Sequence, residues 1–254
     1  MTDAALLALE SVSVRYGAVQ VLADVSIHVQ RGSFVGLIGP NGAGKTTLFN
    51  AVSGFTRPRS GVVRFTGRDI TGRSPHARAR LGIVRTFQNV GLNKGATVEE
   101  NMLTALTVDR PASELRDVLS PFRLRPERGV AMAAALEDFE LTRYRTTRVR
   151  DLSTGTAKMV ELACATLREP TLLLLDEPSS GLSPEETSNL ASVLCRLHDR
   201  GDLSILMIEH DMSLVSRTAR YVYCLEFGNV ISAGTPAEVR ADERVIEAYL
   251  GESG

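Results

Sequence analysis

Apolar and polar positions alternate from Leu7 to Val14 and again from Val21 to Val29, where Val25, Ile27 and Val29 fall on one face. Period-two alternation predicts half-buried strands, here an antiparallel pair near the start. The pattern then changes: Phe34 to Ile38 is continuously apolar and runs into glycines, which predicts a buried strand feeding a loop. A helix over Thr46 to Ser53 follows, then a turn at Arg57 to Gly61 and short strands at Val62 to Phe65 and Ile83 to Phe87. Past Gln88 the strand signals stop. Thr97 with Glu100 three residues on is a capping box ahead of a helical stretch, Asn101 to Val108. Pro111, Pro121 and Pro126 break the next segment, and Arg128 to Leu141 reads as helix. Strands return at Leu172 to Leu175 and Leu203 to Ile208, with a helix over Glu185 to Arg200 between them. The tail predicts a hairpin, Tyr221 to Leu225 and Val230 to Ala233 about Gly228 and Asn229, and one closing helix over Glu238 to Leu250. Strands alternating with helices predict an α/β sheet with a helical insertion at about residues 90–160, within one domain spanning 1–254.

Composition narrows the classes. A chain of 254 residues can bury a sizeable core. Basic and acidic residues number 29 and 30, so no nucleic-acid partner is expected. The densest arginine group, Arg73 to Arg85, also carries Pro75 and apolar residues. No window approaches the roughly 18 apolar residues of a membrane span. Met1 to Glu10 has no basic segment and does not read as a signal peptide. Cys164, Cys195 and Cys224 match neither a metal nor a redox spacing and are expected to be idle thiols in a reducing compartment. The expectation is a cytoplasmic protein whose membrane role, if it has one, comes through a partner.

Two motifs carry chemistry. Gly39, Pro40, Asn41, Gly42, Ala43, Gly44, Lys45 and Thr46 fit the phosphate-loop pattern without a mismatch, between a predicted strand and a predicted helix. The glycines let backbone amides approach phosphates, and the following helix adds its positive end. Lys45 brings a point charge to the β- and γ-phosphates, the Thr46 hydroxyl is a hard ligand for Mg²⁺, and Thr47 joins the nucleotide-binding set. Further on, four leucines lead into Asp176, a carboxylate placed to hold Mg²⁺ through water, and Glu177, which can take a proton from an attacking water. Gln88 is placed to reach both the metal and the water, His210 to contact a γ-phosphate, and Tyr16 to stack on adenine. By their own chemistry these three are equally a surface glutamine, an ordinary polar histidine and a packed tyrosine.

Leu152, Ser153, Thr154 and Gly155 form a Leu-Ser-x-Gly element one helix upstream of Asp176. With Tyr16, the phosphate loop, Gln88, Asp176, Glu177 and His210, it stands in the order of the ATP-binding cassette (ABC) ATPases, and the resemblance covers essentially the whole chain. It implies a RecA-like P-loop core with an antiparallel β-layer and a helical subdomain. It also implies a head-to-tail pair of ATPase subunits holding two ATP molecules, with Ser153 and Gly155 reaching the partner's ATP. Val84 to Gln88, Lys94 to Asn101, Ile208 to Met212, Ala233 to Pro236 and Val245 to Gly251 resemble the ATPases of branched-chain amino-acid importers. That likeness implies membrane permeases as partners, docked in a cleft beside Gln88. It also implies a second ATPase subunit, identical or different, an extracytoplasmic substrate-binding protein acting indirectly, and a place on the inner face of the membrane.

Two positions depart from the family. Thr156 stands where the signature usually has glutamine, and Ser183 where many members have aspartate. Neither removes Lys45, Asp176 or Glu177. Other readings are an ABC ATPase for lipid extraction or urea uptake, a non-transport ABC ATPase, and a nucleotide-binding regulator that does not turn over. Intact Glu177 disfavours the last.

Overall fold

The computed structural model describes residues 5–86, 91–107, 126–201 and 203–250. Two sheets form its frame. Strands β1 (Leu7–Tyr16), β2 (Val19–Val29), β4 (Ser60–Phe65) and β5 (Arg68–Asp69) make an antiparallel layer in the order β2-β1-β4-β5. The second sheet runs β10-β9-β3-β8-β7-β6, from β3 (Phe34–Ile38), β6 (Ile83–Arg85), β7 (Leu172–Asp176), β8 (Ser204–Ile208), β9 (Tyr221–Glu226) and β10 (Asn229–Gly234). Within it β3, β6, β7, β8 and β9 are parallel, and β10 closes one edge as the antiparallel arm of a hairpin.

Every residue of β3, β7 and β8 is buried, as the continuous apolar runs predict for parallel strands covered on both faces. Burying a leucine contributes roughly 1.5–3 kcal/mol before entropy, so the four leucines of β7 hold the strand's end rigidly. One core lies between the central sheet, the antiparallel layer and α1 (Lys45–Ser53), including Leu37, Leu48, Phe49 and Leu174. The other face packs against α3 (Val98–Thr107), α4 (Pro126–Asp138), α5 (Thr154–Thr166) and α6 (Pro184–Asp199), through residues such as Met102, Val160, Leu173 and Leu190.

The Thr97 capping box is formed: the Glu100 amide donates to Thr97 Oγ1 at 3.2 Å and the Thr97 amide to Glu100 Oε2 at 2.7 Å. Because a cap sits just outside the helix, α3 begins at Val98 rather than Asn101. The helix expected over Arg128 to Leu141 ends at Asp138. Glu140 turns left-handed at φ 58° and the Leu141 amide closes onto the Leu136 carbonyl at 2.7 Å, a helix stop with no glycine to announce it. The single closing helix is two, α8 (Pro236–Ala241) and α9 (Glu243–Leu250). Asp242 between them is extended at ψ 121°. Its carboxylate instead receives the Arg244 amide at 3.0 Å and the Arg244 side chain at 2.6 Å. Strand β6 stops at Arg85; Phe87 and Gln88 lie outside the described residues.

Two short helices carry no strong pattern in the sequence, α2 (Pro75–Ala79) and α7 (Met212–Thr218). Within α2, Arg78 is only 1% exposed. Its guanidinium donates to the Ala51 and Val52 carbonyls at 2.6 and 2.7 Å and to the Thr71 carbonyl at 3.0 Å, satisfying the C-terminal end of α1. Part of the basic group Arg73 to Arg85 is therefore internal structure. All three cysteines are free, and burial pushes the Cys164 and Cys224 thiols up to about 12, which leaves both unreactive.

Candidate functional site

Parallel pairing puts the C-terminal ends of β3, β7 and β8 side by side: Leu37 and Asp176 both pair with Ile208. The loops leaving these three ends carry the phosphate-loop residues, Glu177, and the pair Glu209 and His210. Ligands of open α/β sheets bind at this edge.

The phosphate loop joins β3 to α1. Gly39 has φ 143°, and a Cβ there would lie 2.0 Å from the Leu225 carbonyl oxygen. Gly44, at φ 105°, would meet the Val21 carbonyl oxygen at 2.8 Å. No side chain caps α1, whose N-terminal end begins at the buried Gly44 and Lys45 and the exposed Thr46, and a helix N-terminus favours an anion. Pro40 and Ala43 are buried, Asn41 and Gly42 exposed and Thr47 half-buried. Lys45 is 5% exposed, and its ammonium donates to the Gly39 and Pro40 carbonyls at 2.6 and 2.8 Å.

Asp176, 6% exposed, receives Arg85 Nη2 on Oδ2 at 2.7 Å. Arg85 is itself tied to Asn50 of α1 at 2.7 Å and lies over the Phe49 ring, 5.5 Å from its centroid. Desolvating both ions of such a pair is costly, so its value lies in fixing the rotation of the carboxylate. Asp176 Oδ1 is buried without a hydrogen-bond partner among the described residues. An acceptor left this way fits a metal-bound water, so Mg²⁺ suits the donors present: Asp176 Oδ1 and the Thr46 hydroxyl.

Glu177 takes φ 49°, a strained setting for a side-chain residue, held by its amide donating to the Ile208 carbonyl at 3.0 Å. Its Oε1 is 3.1 Å from His210 Nε2, and both side chains are partly exposed. The structure thus brings together two residues 33 positions apart that the sequence singled out separately.

Three residues in this network were not legible as site residues. Glu209, 2% exposed, accepts the Ser179 amide on Oε1 at 2.7 Å and the His210 and Asp211 amides on Oε2 at 2.9 and 3.2 Å. It ties the loop after β7 to the loop after β8. Lys158, one turn into α5, donates to the Glu177, Pro178 and Ser180 carbonyls at 3.4, 2.8 and 2.6 Å. Burial lowers the Lys158 ammonium from its ordinary value. Arg85 is the third. An acid set directly between an apolar strand and His210 was the available signal for Glu209; Lys158 and Arg85 gave none.

The remaining expectations fall elsewhere. Ser153 is the N-cap of α5, accepting the Thr156 amide at 3.2 Å and lying 3.0 Å from the Thr156 hydroxyl. Gly155 is pressed against α6, where a Cβ would lie 2.3 Å from Glu186 Oε1. Tyr16 is 49% exposed at the end of β1, with its hydroxyl 2.9 Å from Thr56 Oγ1. Gln88 lies outside the described residues.

Among the described residues no helix is long and apolar enough to cross a membrane. Residues 22–180 match the ABC transporter family model, and residues 229–254 match the model of the branched-chain amino acid ATP-binding cassette transporter. The chain is 37% identical over 251 residues to the high-affinity branched-chain amino acid transport ATP-binding protein BraF of Pseudomonas aeruginosa, covering 98% of each chain. It is 34% identical over 247 residues to the lipopolysaccharide export system ATP-binding protein LptB of Haemophilus influenzae, covering 97% of this chain and 98% of the other. The solved ADP conformation of MJ1267, an ATP-binding cassette of an ABC transporter, superposes with a TM-score of 0.85 at 29% identity, covering 98% and 99% of the two chains. A complete phosphate loop, the Asp176–Glu177 edge and these likenesses over nearly the full length agree: the chain belongs to the ABC transporter family and is one of its ATP-hydrolysing subunits.

Proposed function

We propose that this subunit energises the import of branched-chain or closely related amino acids. The observation that carries the cargo is the C-terminal match, residues 229–254, to a branched-chain cassette model. Whole-chain likeness discriminates less, since the chain is 34% identical to an export ATPase against 37% for the branched-chain subunit.

Lys45, the loop amides and the first turn of α1 hold the β- and γ-phosphates. Thr46, Gln88 and, through water, Asp176 would hold Mg²⁺, which when bound would neutralise charge on the phosphates. Glu177 accepts a proton from the water as its oxygen attacks the γ-phosphorus and the bond to the β–γ bridging oxygen breaks. His210, 3.1 Å from Glu177, orients that carboxylate and faces the γ-phosphate. Tyr16 supports the adenine. Ser153 and Gly155 complete the ATP site of a second ATPase subunit, and the described helices α3, α4 and α5 belong to the inserted helical subdomain.

The permease is proposed to seat a cytoplasmic helix in a groove of about 380 Å³ between the approach to β6 and the ends of α3 and α5, lined by Leu81, Gly82, Leu106, Leu167 and Thr171. The subunit then works on the inner face of the membrane. The test is reconstitution with its permeases and binding protein in proteoliposomes. Leucine, isoleucine or valine should stimulate ATP hydrolysis and enter the vesicles. Stimulation by a different solute, with none by these three, would replace the cargo.

A further inference from the structure

The phosphate loop is held from an unexpected direction. Strand β3 makes its last pairing at Ile38, with Cys224, so the buried Gly39 amide has no partner in the sheet. Its hydrogen-bond acceptor is the hydroxyl of Tyr249, at 2.9 Å and 210 positions away. Gly39 is thereby fixed on three sides. Tyr249 takes its N–H, Lys45 donates to its carbonyl at 2.6 Å, and the Leu225 carbonyl stands where a Cβ would be.

Tyr249 sits near the end of α9, which is anchored independently of the loop. Val245 and Ala248 are buried, the Tyr249 ring packs on the core formed with the helices, and the Asp242–Arg244 contacts fix the first turn. The loop's first peptide is therefore set by the tail of the chain, in the segment that matches the branched-chain model. We infer that Tyr249 is a positioning residue that latches the C-terminal helix to the phosphate loop and so sets the affinity for ATP. The inference rests on the phosphate-loop reading above. A loop held in its binding shape loses less freedom when ATP arrives, so the latch raises affinity without touching nucleotide. It also makes the placement of α9 a lever on the ATP site.

The test uses the full chain, ATP with Mg²⁺, a fluorescent ribose-labelled ATP analogue, and amide hydrogen exchange of the segment holding Gly39. Tyr249→Phe removes the hydroxyl and keeps the ring. It should weaken nucleotide binding about three- to tenfold, the scale of one hydrogen bond. It should also speed exchange at Gly39 and raise KM for ATP by more than it lowers kcat. Lys45→Ala serves as the reference and should abolish binding. If Lys45→Ala loses binding while Tyr249→Phe stays within about twofold of the parent with unchanged exchange at Gly39, the latch is overturned alone. If Lys45→Ala binds normally, the phosphate-loop reading itself falls.

Discussion

Glu177 shows how much of a residue's role depends on where its neighbours put it. An acid following a buried strand is by itself a solvated end. Here a left-handed backbone and the Ile208 carbonyl aim it, and His210 meets it at 3.1 Å. Glu177→Gln keeps the shape and removes the base. It should leave MgATP binding in place and lower turnover by about a hundredfold or more, read by comparing nucleotide affinity with steady-state phosphate release. Unchanged turnover would sink the assignment. Asp211 is the contrasting case, a carboxylate with a structural task. It caps α7, and its hydrogen bond from the Ser213 side chain, with the Ser213 and Leu214 amides, holds it below the usual carboxylate range. A depressed folded value means the stabilisation is complete above the unfolded pKa, about 3.9, and is lost as pH falls through the folded value. Asp211→Ala should therefore cost about 1 kcal/mol in denaturant unfolding at pH 7. The gap from the parent should shrink as the pH drops below about 4; a constant gap would contradict this account.

At the scale of elements, α5 matters more than its apolar face indicates. Its first residues carry the signature Ser153 and Gly155, and one turn later Lys158 grips the loop that holds Glu177. One helix thus joins the element proposed to face a second ATPase subunit to the loop that carries Glu177, the proposed base. Lys158→Met should lower kcat about tenfold through a misplaced Glu177. MgATP affinity should stay near the parent's, and Lys158→Arg should recover part of the loss because it can still donate to several carbonyls. If affinity and kcat fall together, Lys158 supports the fold rather than the base. The sequence implied α5 only as the helix-length interval between the Leu-Ser-x-Gly element and Asp176. It could not reveal Lys158, whose acceptors are carbonyls that any sequence would supply. The same reason hid the break at Asp242 and the stop at Glu140, where backbone geometry and local hydrogen bonds, not residue type, end the helix.

For the whole molecule, the proposed pairing divides the site between what the chain keeps and what it would lend. The kept half is dense in contacts. In the lent half Thr156 stands where glutamine is usual, and its hydroxyl turns back 3.0 Å from Ser153. A longer amide at this position would reach further across a paired ATPase. Thr156→Gln should alter ATP turnover at the partner's site by about threefold or more and leave this chain's own site near its starting rate. Pairs in which Lys45→Ala silences one site at a time read the two separately. Equal changes at both sites would count against the division.

The chemistry was written in the sequence alone: the phosphate loop, the Asp176–Glu177 edge and the signature are local strings whose residue types and order have few other uses. The buried parallel strands were equally legible, because long apolar runs have nowhere to go but a covered sheet. Only the tertiary structure decided that His210 meets Glu177, that Arg85 fixes Asp176, that Glu209 and Lys158 lace the catalytic loops together, and that Tyr249 holds Gly39. Those contacts join residues from 20 to 210 positions apart, so no local pattern encodes them. They come into being only once the parallel sheet has brought its loop-bearing ends to one edge.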